Sequence, residues 1–232
     1  KNKTSTLVPA GLIQPLPIPT KVWTDISMDF IGDLPKAQGK DSIMVVVDRL
    51  TKYADFFALS HPYSAKDVAD VFIKDVVRLH EFPSSIVSDR NRLFMSFFWK
   101  ELFRRSGTQL KMSTAYHPQT DGQIEVNRCL KVYLRCLTGN KPKQWPDILA
   151  WAEFWFNSNY NISSKMSPFK ALYGQEPPVL IKGDDIPSKL EEVNQLSKGR
   201  DELLQELRVN LLKAQDQMRK YANKHRREVV FQ

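Results

Sequence analysis

The stretch that decides the fold runs from residue 41 to residue 59 and reads DSIMVVVDRLTKYADFFAL. Its first half, Ile43–Val47, is an unbroken apolar run rich in β-branched residues, which is typical of a strand buried on both faces. A polar turn from Asp48 to Lys52 follows, and Tyr53–Leu59 resumes as a second strand. Two strands joined by so short a turn predict an antiparallel pair.

The segments on either side extend this pair into a larger sheet. Val22–Phe30 alternates and ends beside an Asp, so three strands in succession predict an antiparallel meander. Downstream, short strands at Ser84–Ser88 and Gln109–Met112 alternate with helices at Ser64–His80 and Ser96–Ser106. That alternation predicts βαβ units. The expected fold class is therefore α/β, with a five-stranded mixed sheet flanked by helices.

Composition divides the chain into three parts. Residues 1–20 are rich in Pro and Thr, which predicts an extended linker. Residues 21–180 hold the sheet and its helices, including an aromatic helix at 147–160, and form the expected core. Residues 181–232 are expected to form a basic helical extension toward a C-terminal domain that is missing from the sequence. An apolar seam there predicts either packing against a domain or a short coiled-coil dimer; it consists of Leu204, Leu207, Leu211, Ala214, Met218 and Tyr221.

The charge of the chain favours a polyanionic partner. The 232 residues contain 34 Lys and Arg against 26 Asp and Glu, a net charge of +8 that is concentrated near the C-terminal end. Nucleic acid is the commonest partner of such a protein. No run of about eighteen apolar residues exists, so no transmembrane helix is expected.

Three acidic residues stand where a catalytic site would use them. Asp29 lies inside the first strand, where a carboxylate is costly to bury unless it is paired or metal-bound. Asp89 directly follows the fourth strand, at the end where α/β sheets carry chemistry, although it could be only a turn residue. Glu125 lies in the first turn of a helix, where it could instead stabilise the helix dipole or a capping box.

Taken together, the three acids indicate a metal site. A strand residue, a strand end and a helix start can converge on one point, and three carboxylates can hold two Mg²⁺ ions with positions left for water and phosphate. Two ions about 4 Å apart would clamp the attacking and leaving oxygens of an in-line phosphoryl transfer. Asp29, Asp89 and Glu125 are therefore the candidate catalytic residues and metal ligands.

The sequence around these acids resembles the catalytic core of Ty3/gypsy-type retrotransposon integrases, within the retroviral integrase superfamily. Asp89 and Glu125 are separated by 35 residues, as in the Asp, Asp, 35-spaced Glu signature of that family. The short sequence motifs that flank these acids are more specific than the spacing. The resemblance covers about residues 9–180. These motifs are SDR at 88–90, STAYHPQTDGQ at 113–123, NR at 127–128, WP at 145–146, WAEF at 151–154 and SPF at 167–169.

The resemblance implies an RNase H-like fold and a polynucleotidyl transferase that uses two Mg²⁺ or Mn²⁺ ions. Asp29 and Asp89 would share one ion, and Glu125 would bind the other together with either Asp29 or Asp89. Such enzymes nick element DNA near its ends with water, and the 3′-hydroxyl then attacks target DNA. The implied partners are element ends, target DNA and further copies of the chain in a homo-oligomer.

The resemblance also implies residues that contact DNA, each of which could instead be solvated surface. The loop at 116–122 would be the mobile active-site loop that meets DNA, with its histidine as a loop or DNA contact rather than a metal ligand. The candidate contacts are Lys111, Tyr116, His117, Gln119, Gln123, Asn127 and Arg128.

The sequence departs from the family pattern at two places. Asn91 stands where Asp or Gly is common, which is a mild change. Only Val126 separates Glu125 from Asn127, where the family usually has two residues. Because a one-residue deletion turns everything downstream on an α-helix by about 100°, we expect the helix to bulge or to repack behind Glu125.

Two functions from different classes follow. The first is an integrase core that cuts and joins DNA, acting on chromosomal DNA in the nucleus after a stage in a cytoplasmic particle. The second is a catalytically decayed, element-derived DNA-binding or assembly module, which the short Glu125–Asn127 spacing and the missing zinc-binding and β-barrel flanking domains would explain. An RNase H proper would need a fourth carboxylate near the metals, and none stands at an obvious position.

Overall fold

The computed structural model describes residues 18–88, 93–112 and 123–178, without side-chain detail at residues 112 and 123–125. The predicted extension at 181–232, with its apolar seam, lies outside the described residues. So does the predicted linker, except for residues 18–20. The predicted boundaries of the three parts therefore stay predictions.

The described chain alternates strands and helices in the order that the sequence predicts. The strands are β1 (Asp25–Ile31), β2 (Ser42–Asp48), β3 (Ala54–Leu59), β4 (Ser85–Ser88) and β5 (Gln109–Met112). The helices are α1 (Ala65–Val71), α2 (Arg78–His80), α3 (Phe97–Ser106), α4 (Gln123–Thr138), α5 (Trp145–Ser158) and α6 (Pro168–Tyr173). A π-helical segment, Phe72–Val77, joins α1 to α2, and a 3-10 turn, Pro142–Gln144, precedes α5.

The five strands form one mixed sheet in the order β3-β2-β1-β4-β5. β1, β2 and β3 are antiparallel neighbours, which confirms the predicted meander. β4 and β5 run parallel to β1, as βαβ connections require. In the β1–β4 register Met28 lies opposite Ser88, so the end of β4 lies beside the position that precedes Asp29.

Helices cover both faces of the sheet. β2 is buried along its whole length, and its side chains alternate between two hydrophobic clusters. Val45 and Val47 face the cluster formed with α4 and α5, whereas Met44 and Val46 face the cluster formed with α1 and α3. This two-sided burial explains the continuous apolar run, because a strand covered on one face only would alternate with polar residues.

Local signals account for the helix ends. Ser64 caps α1 through a reciprocal capping box with Asp67, and Ser96 and Ser167 accept hydrogen bonds from the first turns of α3 and α6. Gly107 ends α3 with a left-handed φ of 72°, a conformation that glycine adopts without strain. The π-helical segment was not predicted, because hydrophobic spacing does not distinguish it from an ordinary helical turn.

None of the helices in the described ranges is long and apolar enough to cross a bilayer.

Candidate active site

Asp29 lies on the face of the sheet that α4 and α5 cover. Along β1, Ile26 and Met28 are buried in the cluster on the opposite face, while Ile31 lies in the same cluster as the residues of α4 and α5. The period of two along a strand places Asp29 on the Ile31 side. Its carboxylate is half-buried, and its Oδ1 accepts a hydrogen bond of 2.8 Å from the backbone N–H of Phe30.

Asn127 of α4 makes the second hydrogen bond to this carboxylate. Its Nδ2 donates to Asp29 Oδ2 at 2.5 Å, across a separation of 98 residues in the chain. The amide oxygen of Asn127 is buried and has no hydrogen-bond partner among the described residues. Both of these donors are neutral, and they stabilise the carboxylate by charge-assisted hydrogen bonds.

For the other two predicted catalytic acids, the structure shows only the neighbouring strand or the helix that carries them. Asp89 follows Ser88 in the chain and lies outside the described residues. The backbone of Glu125 belongs to α4, but its side chain is not described. The structure thus brings together β1, the end of β4 and α4, which are the three elements that carry the acids. The convergence of the three carboxylates themselves stays a prediction.

Asp29 suits a hard divalent cation, since a charged carboxylate oxygen is the ligand that Mg²⁺ prefers. Within the described ranges, no three His, Cys, Asp or Glu side chains lie close enough together to hold a metal ion. Asp89 and the side chain of Glu125 lie outside the described residues, so the fit to a metal rests on Asp29 alone.

The predicted DNA contacts fall into three groups. Lys111 lies on β5, with its Nζ 3.9 Å from Asp25 Oδ1 at the beginning of β1, about 13 Å of strand from Asp29. Arg128 is exposed on α4, as a DNA contact would require, whereas Asn127 is turned toward Asp29. The remaining predicted contacts lie outside the described side chains: Tyr116, His117, Gln119 and Gln123.

A second buried acid, Asp48, holds a turn rather than a site. It is fully buried at the end of β2, and its Oδ1 accepts a hydrogen bond from the backbone N–H of Trp23 at 3.0 Å. Its Oδ2 accepts from the backbone N–H and the hydroxyl of Thr51, at 2.9 and 2.6 Å. These bonds satisfy the carboxylate and explain the tight connection between β2 and β3.

Two polar residues of α5 cover the outer edge of β3, and the sequence did not reveal this role. Asn157 binds Ala54 twice, accepting from its N–H at 2.9 Å and donating to its carbonyl at 2.8 Å. Glu153 accepts from the N–H of Phe56 at 2.8 Å. Burial raises the pKa of Glu153 to about 7, against the lowering effect of the Phe56 N–H and with a further increase from nearby Asp55. The edge strand is thereby protected from pairing with another chain.

Comparison with known sequences identifies retrotransposon relatives. The chain is 29% identical over 221 residues to each of the Tf2-3, Tf2-4 and Tf2-5 transposon polyproteins of Schizosaccharomyces pombe. The match covers 95% of this chain and 16% of each polyprotein, so the chain spans about a sixth of these relatives. The chain is homologous to these retrotransposon polyproteins. No family model matches it.

Solved structures share its fold. A chain of the simian T-cell lymphotropic virus intasome, solved with the PP2A regulatory subunit B56 gamma, has a TM-score of 0.58 and 15% identity, covering 82% of this chain and 67% of its own. The HTLV-2 integrase catalytic core domain with magnesium has a TM-score of 0.51 and 15% identity, covering 65% and 96%. The BIV integrase catalytic core domain has a TM-score of 0.50 and 18% identity, covering 66% and 95%.

These comparisons confirm two of the predictions from sequence. The resemblance to a retrotransposon integrase core is confirmed by the homology to the Tf2 polyproteins and by the fold of the neighbours. The predicted RNase H-like fold is confirmed as well, because the neighbours are integrase catalytic cores, which have that fold.

Proposed function

We propose that the chain is the catalytic core of a retrotransposon integrase, which nicks and joins element DNA into target DNA by phosphoryl transfer. The observation that carries the proposal is the position of Asp29. It is a half-buried carboxylate on the central strand of an integrase-type sheet, beside the end of β4 and against α4.

The sequence places a second acid, Asp89, next to the end of β4. Asp89 is one residue beyond Ser88, and consecutive Cα atoms are about 3.8 Å apart, so covalent connection alone keeps Asp89 close to the end of β4. We therefore assign Asp29 and Asp89 as the metal ligands that the sheet contributes. A third metal ligand is expected from α4. A divalent ion bound there would neutralise charge on the transferred phosphoryl group.

The solved neighbours support the choice of ion and partners. The HTLV-2 core was solved in complex with magnesium, in dimeric and trimeric forms, and the simian virus protein was solved in an intasome. We extend these properties to this chain as proposals: two Mg²⁺ or Mn²⁺ ions, element ends and target DNA as substrates, and a homo-oligomer as the working form. Its proposed location is the nucleus.

A joining assay tests the proposal. The full chain is incubated with Mn²⁺, a labelled duplex that ends in the element's terminal sequence, and supercoiled plasmid. We expect the label to enter the plasmid with the wild type but not with Asp29→Asn. Asp70→Asn is the matched control, because Asp70 is exposed on α1, on the opposite face of the sheet. Joining that survives Asp29→Asn, or no joining by the wild type, would reject the proposal.

A second function, a non-catalytic DNA-binding or assembly module, is favoured by one observation. α4 is a continuous helix through the short Glu125–Asn127 segment, and it directs the neutral Asn127 to Asp29. Such a module would bind duplex DNA with an affinity that falls steeply with salt. Binding measured by fluorescence anisotropy would be the same for Asp29→Asn and the wild type, and metal-dependent joining would exclude this function.

A further inference from the structure

The rotation of α4 about its own axis is determined immediately after Glu125. Val126 is buried in the core with Leu130 and Leu137, on the side of the helix that meets the sheet and α5. Asn127, the next residue, places its Nδ2 2.5 Å from Asp29 Oδ2. Two adjacent residues with different partners leave the helix no freedom to turn.

This rotation determines which positions of the first turn face Asp29. α4 is an α-helix from Gln123 to Thr138, so of the two predicted adjustments, a bulge or a repacking, the described helix does not show the bulge. At about 100° per residue, position 124 lies about 60° from the direction of Asn127 and position 123 about 40° from it. Position 125 lies about 160° away, on the opposite side of the helix. Position 123 holds Gln and position 124 holds Ile, so neither of these two positions carries a carboxylate.

We propose that Glu125 is not a ligand of the ion held by Asp29, and that positions 123 and 124 are the ones from which α4 would supply a third carboxylate. The inference deepens the proposed function and rests on it for the presence of the ion. The proposal differs from the metal-ligand role that the sequence predicts for Glu125, because the helical register after the short spacing places position 125 away from the direction of Asn127. The site would then hold metal with fewer than three carboxylates, and more weakly than a site that has three.

Metal binding by the full chain tests the proposal without relying on catalysis. Free Mn²⁺ is measured by electron paramagnetic resonance during a titration of each variant. We expect Glu125→Gln to bind Mn²⁺ within about twofold of the wild type, whereas Asp29→Asn should weaken binding roughly tenfold. Ile124→Glu should tighten binding roughly tenfold relative to the neutral, similarly shaped control Ile124→Gln.

Two outcomes would overturn the proposal: a loss of affinity in Glu125→Gln as large as that in Asp29→Asn, or no gain by Ile124→Glu over Ile124→Gln. Circular dichroism of each variant verifies that it is folded. An alanine inserted between Glu125 and Val126 provides an independent variant, since it moves the glutamate to the third position before the asparagine and should also tighten binding. If Ile124→Glu gains affinity but no variant joins DNA, the proposed function fails and the inference about the helix stands.

Discussion

Replacement of Asn157 by Ala should be among the most destabilising single changes on α5. The side chain is 2% exposed and makes both of its hydrogen bonds to the backbone of Ala54, at 2.9 and 2.8 Å. Alanine would leave a buried N–H and a buried carbonyl without partners. Each unsatisfied buried group costs about 1–3 kcal/mol, so two of them should lower the free energy of unfolding by about 2–6 kcal/mol.

Urea denaturation of the full chain, followed by tryptophan fluorescence, measures this loss. Asn140→Ala is the matched control, because Asn140 is exposed in the turn after α4 and the same change there should stay within about 0.5 kcal/mol. Asn157→Asp separates the two bonds, since a carboxylate can accept from the Ala54 N–H but cannot donate to the carbonyl. A loss below about 1 kcal/mol in Asn157→Ala would refute the view that these bonds seal the edge of β3.

Three further predictions concern stability. The pKa of Glu153 is raised from 4.5 to about 7, so the folded chain binds this proton more tightly than the unfolded chain does. The free energy of unfolding should therefore fall by up to about 3 kcal/mol from pH 4.5 to pH 7. Glu153→Gln should remove this pH dependence in urea titrations. An unchanged slope in the variant would contradict the assignment. Ser64→Ala removes the capping box with Asp67 and should cost about 1 kcal/mol, whereas Ser64→Thr should restore most of it. Trp145→Phe removes the 2.8 Å bond from Nε1 to the Pro35 carbonyl and should cost about 1–3 kcal/mol in the same assay, and no loss would show that water replaces the indole.

Most of the fold could be predicted from the sequence because its signals are local. The apolar run at Ile43–Val47 indicated a doubly covered strand, and β2 is buried along its whole length. The predicted helices began at Ser64 and Ser96, and these two serines cap α1 and α3 in the structure. Helix caps depend on hydrogen bonds between residues three or four positions apart, and strands and helices repeat their apolar residues with periods of two and 3.6. Both kinds of signal can therefore be recognised in the sequence.

The candidate site was predictable only in part. A strand carboxylate such as Asp29 can be recognised from its neighbours, since a charge in an apolar strand needs a partner. The identity of that partner could not be recognised: the sequence predicted only a DNA contact for Asn127, and the structure shows that Asn127 donates to Asp29. The short spacing after Glu125 was visible in the sequence, but whether the helix would bulge or keep its register was not.

The sequence by itself determined the order of the strands and helices, the caps and the presence of acids near the ends of strands, since each depends on residues a few positions apart. Only the tertiary structure decided which face α4 turns toward Asp29 and how α5 seals the edge of β3. The bonds responsible join residues 98 and 103 positions apart. Their geometry depends on how two helices pack on one sheet, and a hydrogen bond requires that geometry to within a few tenths of an ångström.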